Sequence, residues 1–524
     1  MTQTVTYPQG AERWTLVLTV LSCSILVLID STIVNVALPE ISGGIGASRM
    51  EIAWVITSYL IGNAIVIPLS GMLSDLFGRR NYFTASVVLF TATSFFCGIS
   101  NSLTALILWR FFQGLAGGGL MSTAQSIIVG AFPPEKINKA NAIFGVGAIL
   151  GPILGPFLGG VIVQSMSWHW IFFVNLPIGI VASVLSWMHV TDLNTERRKF
   201  PIAWWGIIFL ILTVSSLQFV LEEGPKKDWF SDRSIVLLTI VSILGLVAFI
   251  WRELHTKYPA VNIRLFKNWN LTLGNILIVV FAAMLMSSMY FFPMFVQISL
   301  GWDTMQTGIY LMFNGVCVAI SIIFVSKFIE GGLKPKMSML IGAFLYICYL
   351  FLFSLSSPQS SGVNFLFPLA LGGVGMGFLF LPMLTLALSG LRDSDLAQGA
   401  GLFNVTKQLG GAIGIAVINI FMNHRNAKIG EGLVSFANEY NPLFTERIQQ
   451  VQQVFSNTGY DADESMKAAY QLVGSQFHTQ QILLGFNAGY LLMAIVLLII
   501  GVPVILMIRS EKKTLEKKSN QYNN

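Results

Sequence analysis

Runs of about twenty apolar residues recur along this sequence and set what it can fold into. Fourteen such runs occur in the 524 residues, and the chain is 54% hydrophobic but only 11% charged. Soluble domains carry about 25% charged residues, so we expect a membrane protein in which each run forms one spanning helix. The expected spans are 14–37, 52–73, 81–100, 103–130, 138–163, 170–189, 203–221, 234–251, 271–298, 305–326, 337–356, 364–388, 397–423 and 481–508.

The positive charges predict the side of the membrane on which each loop lies. With the N-terminus placed inside, the inner segments, counted together with Lys139 at the inner edge of span five, hold 21 Lys and Arg residues, and the outer segments hold 8. This bias predicts a multi-pass protein of the cytoplasmic (inner) membrane with both termini in the cytoplasm. The net charge of +6 is then explained by the inner loops, and we expect no nucleic acid partner.

A carboxylate lies deep inside the first span, in the segment LIDSTIVNVALP at 28–39. Asp30 is about 13 Å below the outer end of its span, and Arg110, in LWRFFQG of span four, is about 10 Å below the outer surface. An intramembrane charge is costly unless it is paired or used, so we expect these two residues to meet. The positive charge of Arg110 would favour the ionised form of the Asp30 carboxyl, and desolvation would favour its neutral form. Because these opposed effects can bring a carboxyl into the range in which protons bind and leave, the pair predicts a proton-coupling site. A purely structural ion pair is the alternative.

The turn after span two reads GMLSDLFGRR at 71–80. Gly71 and Gly78 allow a tight turn at the membrane face. Asp75 is expected to pair with a basic residue or to cap the next helix, beside Arg79 and Arg80. We therefore expect this turn to latch an inner gate.

Span five contains GVGAILGPILGPFLGG at 145–160, in which glycines recur every four residues. Gly151, Gly155 and Gly159 would form a smooth face for close helix contact, while Pro152 and Pro156 would bend the helix. Close packing alone is a sufficient explanation of this pattern.

These motifs resemble those of a known family. The 71–80 segment looks like the signature of the major facilitator superfamily, and the 145–160 segment is similar to the antiporter motif of its drug exporters, which serves them as a hinge and a seal. Together with WHWIFFVNLPIG at 168–179 and GLFNVTKQLGG at 401–411, they resemble the fourteen-span drug:proton antiporters of the EmrB/QacA kind, and the EmrB branch in particular. The resemblance covers nearly the whole chain.

The resemblance implies an all-α major-facilitator-type fold with 14 transmembrane helices. Two six-helix bundles would occupy 1–190 and 266–524, and an inserted helix pair would occupy 191–265. The second bundle would carry a long outer loop at 424–480, where Phe444, Ile448, Val451 and Phe455 share one helical face and predict a small helical cap. That face would cover its own protein or dock a partner.

Lys407, near the middle of span thirteen, stands where the EmrB branch favours arginine. It is expected to attract anionic substrates or to balance Asp30, and pairing with a polar neighbour is the alternative. Other polar side chains inside spans are candidates for the substrate cavity, although each is also explained as a bond between helices. They are Asn35, Gln113, Gln125, Asn275, Gln297, Asn314 and Asn404.

The function implied by the resemblance is efflux of hydrophobic and amphiphilic compounds in exchange for protons. The sequence has no P-loop, no metal-binding pattern and no nucleophile motif, so we expect neither an enzyme nor a cofactor, and the proton gradient as the driving force. Expected partners are lipophilic small molecules, protons, the bilayer and, in a host with two membranes, a periplasmic adaptor and an outer-membrane channel. The alternatives are a dedicated exporter of a fatty acid or other metabolite, and a non-transporting receptor, which intact Asp30 and Arg110 disfavour.

Overall fold

A computed structural model describes residues 8–133, 136–190, 203–357, 359–389, 391, 395–438 and 440–508. The basic residues expected at 197–199 and in the tail at 509–518 lie outside these ranges, as does the side chain of Pro152. The described residues are helical almost throughout and contain no strand, which confirms the all-α class.

Fourteen helical segments, numbered α1 to α14 in chain order, correspond to the fourteen expected spans. Their bounds are as follows: α1 Gly10–Ile45; α2 Trp54–Val66 with Ser70–Phe77; α3 Arg79–Gly98; α4 Leu103–Gly130; α5 Ile137–Ser165; α6 Trp170–Phe173 with Asn175–His189; α7 Trp204–Glu223; α8 Arg233–His255; α9 Trp269–Leu300; α10 Thr304–Glu330; α11 Pro335–Phe353; α12 Gly362–Leu388; α13 Leu396–Phe436; α14 Ala462–Val496, a π-helical turn Leu497–Gly501 and Val502–Met507.

Most of these helices have the length and composition of membrane spans. Among the described residues, ten helices are apolar and long enough to cross a membrane, and α2 joins them if its two parts, bent by 59° around Pro68, form one span. The bend is expected there because proline lacks the N–H that would continue the helix. Helices α3 and α4 are less apolar, because α3 carries several Ser and Thr residues and α4 carries several glycines, and both contribute to the site described below.

Successive helices run in opposite directions, so their ends lie on two opposite faces of the molecule. The beginning of α1 and the end of α14 lie on one face, called here the terminus face. The Arg13 guanidinium stacks on Phe132 after α4, and Trp269 donates to the Met507 carbonyl at 3.1 Å. The opposite face, called here the cap face, carries the connection between α13 and α14.

The helices pack as two halves with a pair between them. Helices α1 to α6 pack on one another, α9 to α14 pack on one another, and α5 meets α10 where the halves join. The pair α7 and α8 lies beside α2 and α13, with Trp54 of α2 against Phe219 of α7 at 5.3 Å between ring centroids. The inserted pair therefore contacts both halves.

The cap is a helical hairpin on the cap face. It comprises the end of α13, the helix Pro442–Asn457 and the first turns of α14. Ile448 and Val451 pack against Ala469 and Val473 of α14, and Phe444 stacks on Phe477. The predicted apolar face of this helix is confirmed and covers its own protein. Helices α13 and α14 extend beyond the predicted spans because polar residues continue them into the cap, which a search for apolar runs does not detect.

Candidate functional site

A buried ion pair lies at the centre of the first half. Arg110 Nη1 contacts Asp30 Oδ2 at 2.6 Å, and the two side chains are 1% and 0% exposed. The contact that was inferred from their similar depths is therefore present. Removing either partner would leave an uncompensated buried charge, at a cost of about 3–5 kcal/mol.

Two amides complete the bonds of the carboxylate. Asp30 Oδ1 accepts from Gln113 Nε2 at 3.1 Å and from Asn175 Nδ2 at 2.8 Å. Asn175 also donates to Ser94 Oγ at 3.0 Å, and Gln113 Oε1 accepts from Arg110 Nη1 at 2.8 Å. Four helices, α1, α3, α4 and α6, thus contribute to one buried network, so a change in the charge of Asp30 alters bonds among all of them.

Close approach of α2 to α4 brings a fifth helix to this network. A Cβ on Gly114 would lie 2.2 Å from the Tyr59 carbonyl oxygen, so only glycine allows the two backbones to approach this closely. Arg110 Nε donates to the Val55 carbonyl at 3.3 Å, and its guanidinium lies 4.2 Å from the centroid of the Tyr59 ring. Arg110 is therefore held by both its carboxylate and α2.

The glycine stripe of α5 faces α1, the helix that carries Asp30. A Cβ on Gly151 would lie 2.2 Å from Leu28 Cβ, one on Gly155 would lie 1.9 Å from Thr32 Oγ1, and one on Gly159 would lie 3.0 Å from the Ile33 carbonyl. The stripe thus serves close helix packing in this conformation. Pro156 lies within the same continuous helix, half-buried.

The expected gating turn lies on the terminus face between α2 and α3. Gly78 has φ of +85°, a conformation that favours glycine and allows the sharp turn. Gly71 packs against Gln398 at the beginning of α13, so the turn adjoins the other half. Arg80 stacks on the Trp187 ring at 4.1 Å, and Asp75 and Arg79 are half-buried in the same turn.

Side-chain hydrogen bonds join the two halves between the terminus face and the middle of the molecule. Asn141 of α5 donates to Thr385 of α12 at 3.2 Å, and Asn404 of α13 donates to Ser122 of α4 at 3.3 Å. Gln408 of α13 donates to the Leu60 carbonyl of α2 at 3.3 Å. Asn404 therefore lies between the halves, as a cavity residue would.

Lys407 forms no salt bridge with Asp30, whose hydrogen-bond and ion-pair partners among the described residues belong to the first half. The residues that the structure describes form no hydrogen bond or salt bridge with Lys407. Gln125 is 1% exposed, and neither atom of its amide has a hydrogen-bond partner within the described ranges. Both side chains are therefore candidates for contact with a ligand.

The other polar candidates divide between helix contacts and exposed positions. Asn314 donates to the Leu369 carbonyl at 2.6 Å, and Asn275 donates within its own helix to Leu271 at 2.8 Å. Asn35 and Gln297 are exposed and do not join the network around Asp30. Asn175 and Ser94 belong to the site but are not among the residues predicted from the sequence. Asn175 is a lone amide inside an apolar span, which is the same signal that selected Gln113.

Two helical halves with a buried ion pair inside one of them are the arrangement expected of a membrane transporter. The sequence pattern of the Major Facilitator Superfamily matches residues 20–415 of this chain. The protein belongs to that family.

Relatives with known roles match along most of the chain. It is 31% identical to the multidrug export protein EmrB of Haemophilus influenzae over 490 residues, which is 93% of this chain and 94% of that protein. It is 32% identical to the fatty acid resistance protein FarB of Neisseria gonorrhoeae over 403 residues, 76% of this chain and 79% of the relative. The first similarity supports the drug-exporter branch that the motifs indicated.

Solved structures support the same fold. The human organic anion transporter MFSD10 superposes with a TM-score of 0.59 at 15% identity, covering 93% of this chain and all of that one. The proton:xylose symporter XylE gives a TM-score of 0.59 at 14% identity, covering 93% of this chain and 95% of that one. At these identities the likeness concerns the fold alone.

Proposed function

We propose that this protein exports hydrophobic and amphiphilic compounds in exchange for protons that bind at Asp30. The buried Asp30–Arg110 pair is the observation that carries the proposal. Asp30 is completely buried, so a proton reaches it only when the helices move, and this requirement links protonation to a conformational change. The EmrB relatives supply the substrate class.

Protonation of Asp30 would remove the charge that holds Arg110. The guanidinium would keep the Gln113 amide oxygen and the Val55 carbonyl as partners, while the Asp30 side chain would retain only neutral hydrogen bonds. Helices α1 and α2 would then be joined less tightly through Arg110. Each protonation state thereby favours a different packing of the first half, which is the requirement for exchange through one alternating site.

The distribution of positive charge indicates how the protein is oriented in the membrane. We assign the terminus face to the cytoplasm of the inner membrane because the segments assigned to that face carry most of the Lys and Arg residues. The cap then projects outward. In a host with two membranes the cap would contact a periplasmic adaptor, which would deliver the substrate to an outer-membrane channel. The proton gradient is the energy source, with no cofactor.

Proteoliposomes with an imposed pH gradient test this proposal. Efflux of a lipophilic dye and lumenal pH would be followed together in the wild type, in Asp30→Asn and in Asp463→Asn, an exposed acidic position in the cap that serves as the matched control. We expect coupled flux in the wild type and the control. Asp30→Asn should lose proton flux and uphill efflux but retain dye exchange without a gradient. Undiminished coupling in a folded Asp30→Asn protein would refute the role of Asp30.

A dedicated exporter of a lipophilic acid is the second candidate. The FarB relative is named for fatty acid resistance, and Lys407 provides a cation near the middle of the membrane. Absence of dye flux in the wild type, together with efflux of a long-chain carboxylate, would favour this candidate.

A further inference from the structure

We infer that Lys407 is the substrate-recognition cation of this transporter and binds the carboxylate of amphiphilic anions between the two halves. The inference rests on the proposed export function and specifies its substrate class. It is carried by the direction in which Lys407 leaves α13, by its lack of a partner and by its separation from the proton site.

The neighbours of Lys407 on α13 define where its side chain points. Successive residues are about 100° apart around a helix, so Lys407 lies about 60° from Asn404 on one side and about 60° from Gly410 on the other. Asn404 bonds to Ser122 of α4, whereas a Cβ on Gly410 would lie 2.7 Å from Val279 Cα of α9. Lys407 therefore lies on the face of α13 that packs against α9 of the second half, next to the edge at which Asn404 reaches α4 of the first half.

The surroundings of Lys407 suit an amphiphile better than a small hydrophilic ion. Gly411 and Gly414 on the same side of α13 pack against Met286 and Ala283 of α9, whose side chains are apolar. The lysine side chain is half-buried, and no described residue supplies it with a counter-ion. An unpaired ammonium inside a membrane protein is costly, and a bound carboxylate with an apolar tail would relieve that cost.

The proton site and the lysine are separate but share α2 as a neighbour. Arg110 Nε bonds to the Val55 carbonyl, and Gln408, next to Lys407, bonds to the Leu60 carbonyl. These two carbonyls are five residues apart on α2, or roughly 8 Å along the helix. An anion at Lys407 thus would not compete directly with Asp30 for Arg110, and both sites adjoin the same helix.

Matched fluorescent probes test the assignment. Pyrenebutyrate and the neutral alcohol pyrenebutanol share one apolar body and differ in charge, and their binding to purified protein in nanodiscs would be measured for four proteins. These are the wild type, Lys407→Met, Lys407→Arg and Lys467→Met, in which an exposed cap lysine serves as the matched control.

We expect Lys407→Met to weaken pyrenebutyrate binding at least tenfold, equivalent to about 1.4 kcal/mol, and to change pyrenebutanol binding less than twofold. Lys407→Arg should restore most of the anion binding, and Lys467→Met should match the wild type. Thermal melting checks that each variant is folded, and Lys407→Gln replaces Lys407→Met if the latter unfolds.

Equal binding of pyrenebutyrate by wild type and folded Lys407→Met would overturn the inference, as would an equal loss for both probes. Transport by the wild type, measured beside binding, separates this outcome from failure of the proposed function, because probe binding in nanodiscs needs no proton gradient. Normal probe binding with no proton coupling in the wild type would refute the export mechanism while leaving the lysine site intact.

Discussion

Gly151→Ala tests whether the contact between α1 and α5 positions the proton site. The new Cβ would lie 2.2 Å from Leu28 Cβ, whereas ordinary van der Waals contact begins at 3.4 Å. A Cβ atom is fixed to its backbone, so no side-chain rotation relieves the overlap, and the helices must separate by about 1.2 Å. Overpacking of this kind costs about 1–3 kcal/mol.

The displacement would reach the ion pair directly. Asp30 lies two residues after Leu28 and therefore points from nearly the opposite side of α1. Moving α1 away from α5 pushes Asp30 toward Arg110, with which it already forms a 2.6 Å contact that leaves no room for compression. The network must rearrange, and we expect proton-coupled efflux to fall at least tenfold.

Gly160→Ala is the matched control because no atom lies within 4 Å of its added Cβ. Thermal melting of the solubilised proteins and dye efflux from proteoliposomes would be compared for both variants. The control should resemble the wild type in both measurements, while Gly151→Ala should melt lower and transport less. If the two alanine variants behave alike, the contact between α1 and α5 does not position the carboxylate.

Two further substitutions test the network and the gating turn. Asn175→Leu removes the amide that donates to Asp30 at 2.8 Å. We expect coupled efflux to fall about tenfold, since a hydrogen bond to a charged group contributes about 1.5–3 kcal/mol. Unchanged coupling would contradict the role of this amide. Gly71→Ala places a Cβ 3.0 Å from Cα of Gln398, which belongs to the other half, and should reduce transport several-fold. Gly43→Ala is the control, because no atom lies within 4 Å of its added Cβ, and it should transport like the wild type. Equal transport by the two variants would contradict tight closure at the gating turn.

Much of the architecture could be predicted because lipid imposes a simple rule on the sequence. An apolar run of about twenty residues must become a helix, so the position and order of the clearly apolar spans follow from composition. The exact ends do not follow, because α13 and α14 continue through polar residues whose helicity depends on packing within the cap. The proposed domain limits and the roles of the site residues stay predictions.

Only the charged residues of the candidate site could be predicted to lie together from the sequence. Asp30 and Arg110 are costly in hydrocarbon, and that cost indicates that they must meet. The neutral members of the network carry no comparable signal, because an amide such as Asn175 at the carboxylate looks the same in sequence as Asn314, which merely joins α10 to α12. The roles of Asn175 and Asn314 differ because their helix faces meet different neighbours, and those contacts are set by the tertiary structure.

The cap has a mechanical consequence for any partner that binds it. Both helices that support it belong to the second half, and α13 alone runs for 41 residues, or about 60 Å. The tip lies roughly 44 Å from the level of Lys407, so a rotation of about 15° between the halves would sweep it through roughly 11 Å. A partner bound only to the cap would move with the second half during every transport cycle. A partner that also bound the first half would restrict the rotation and slow transport.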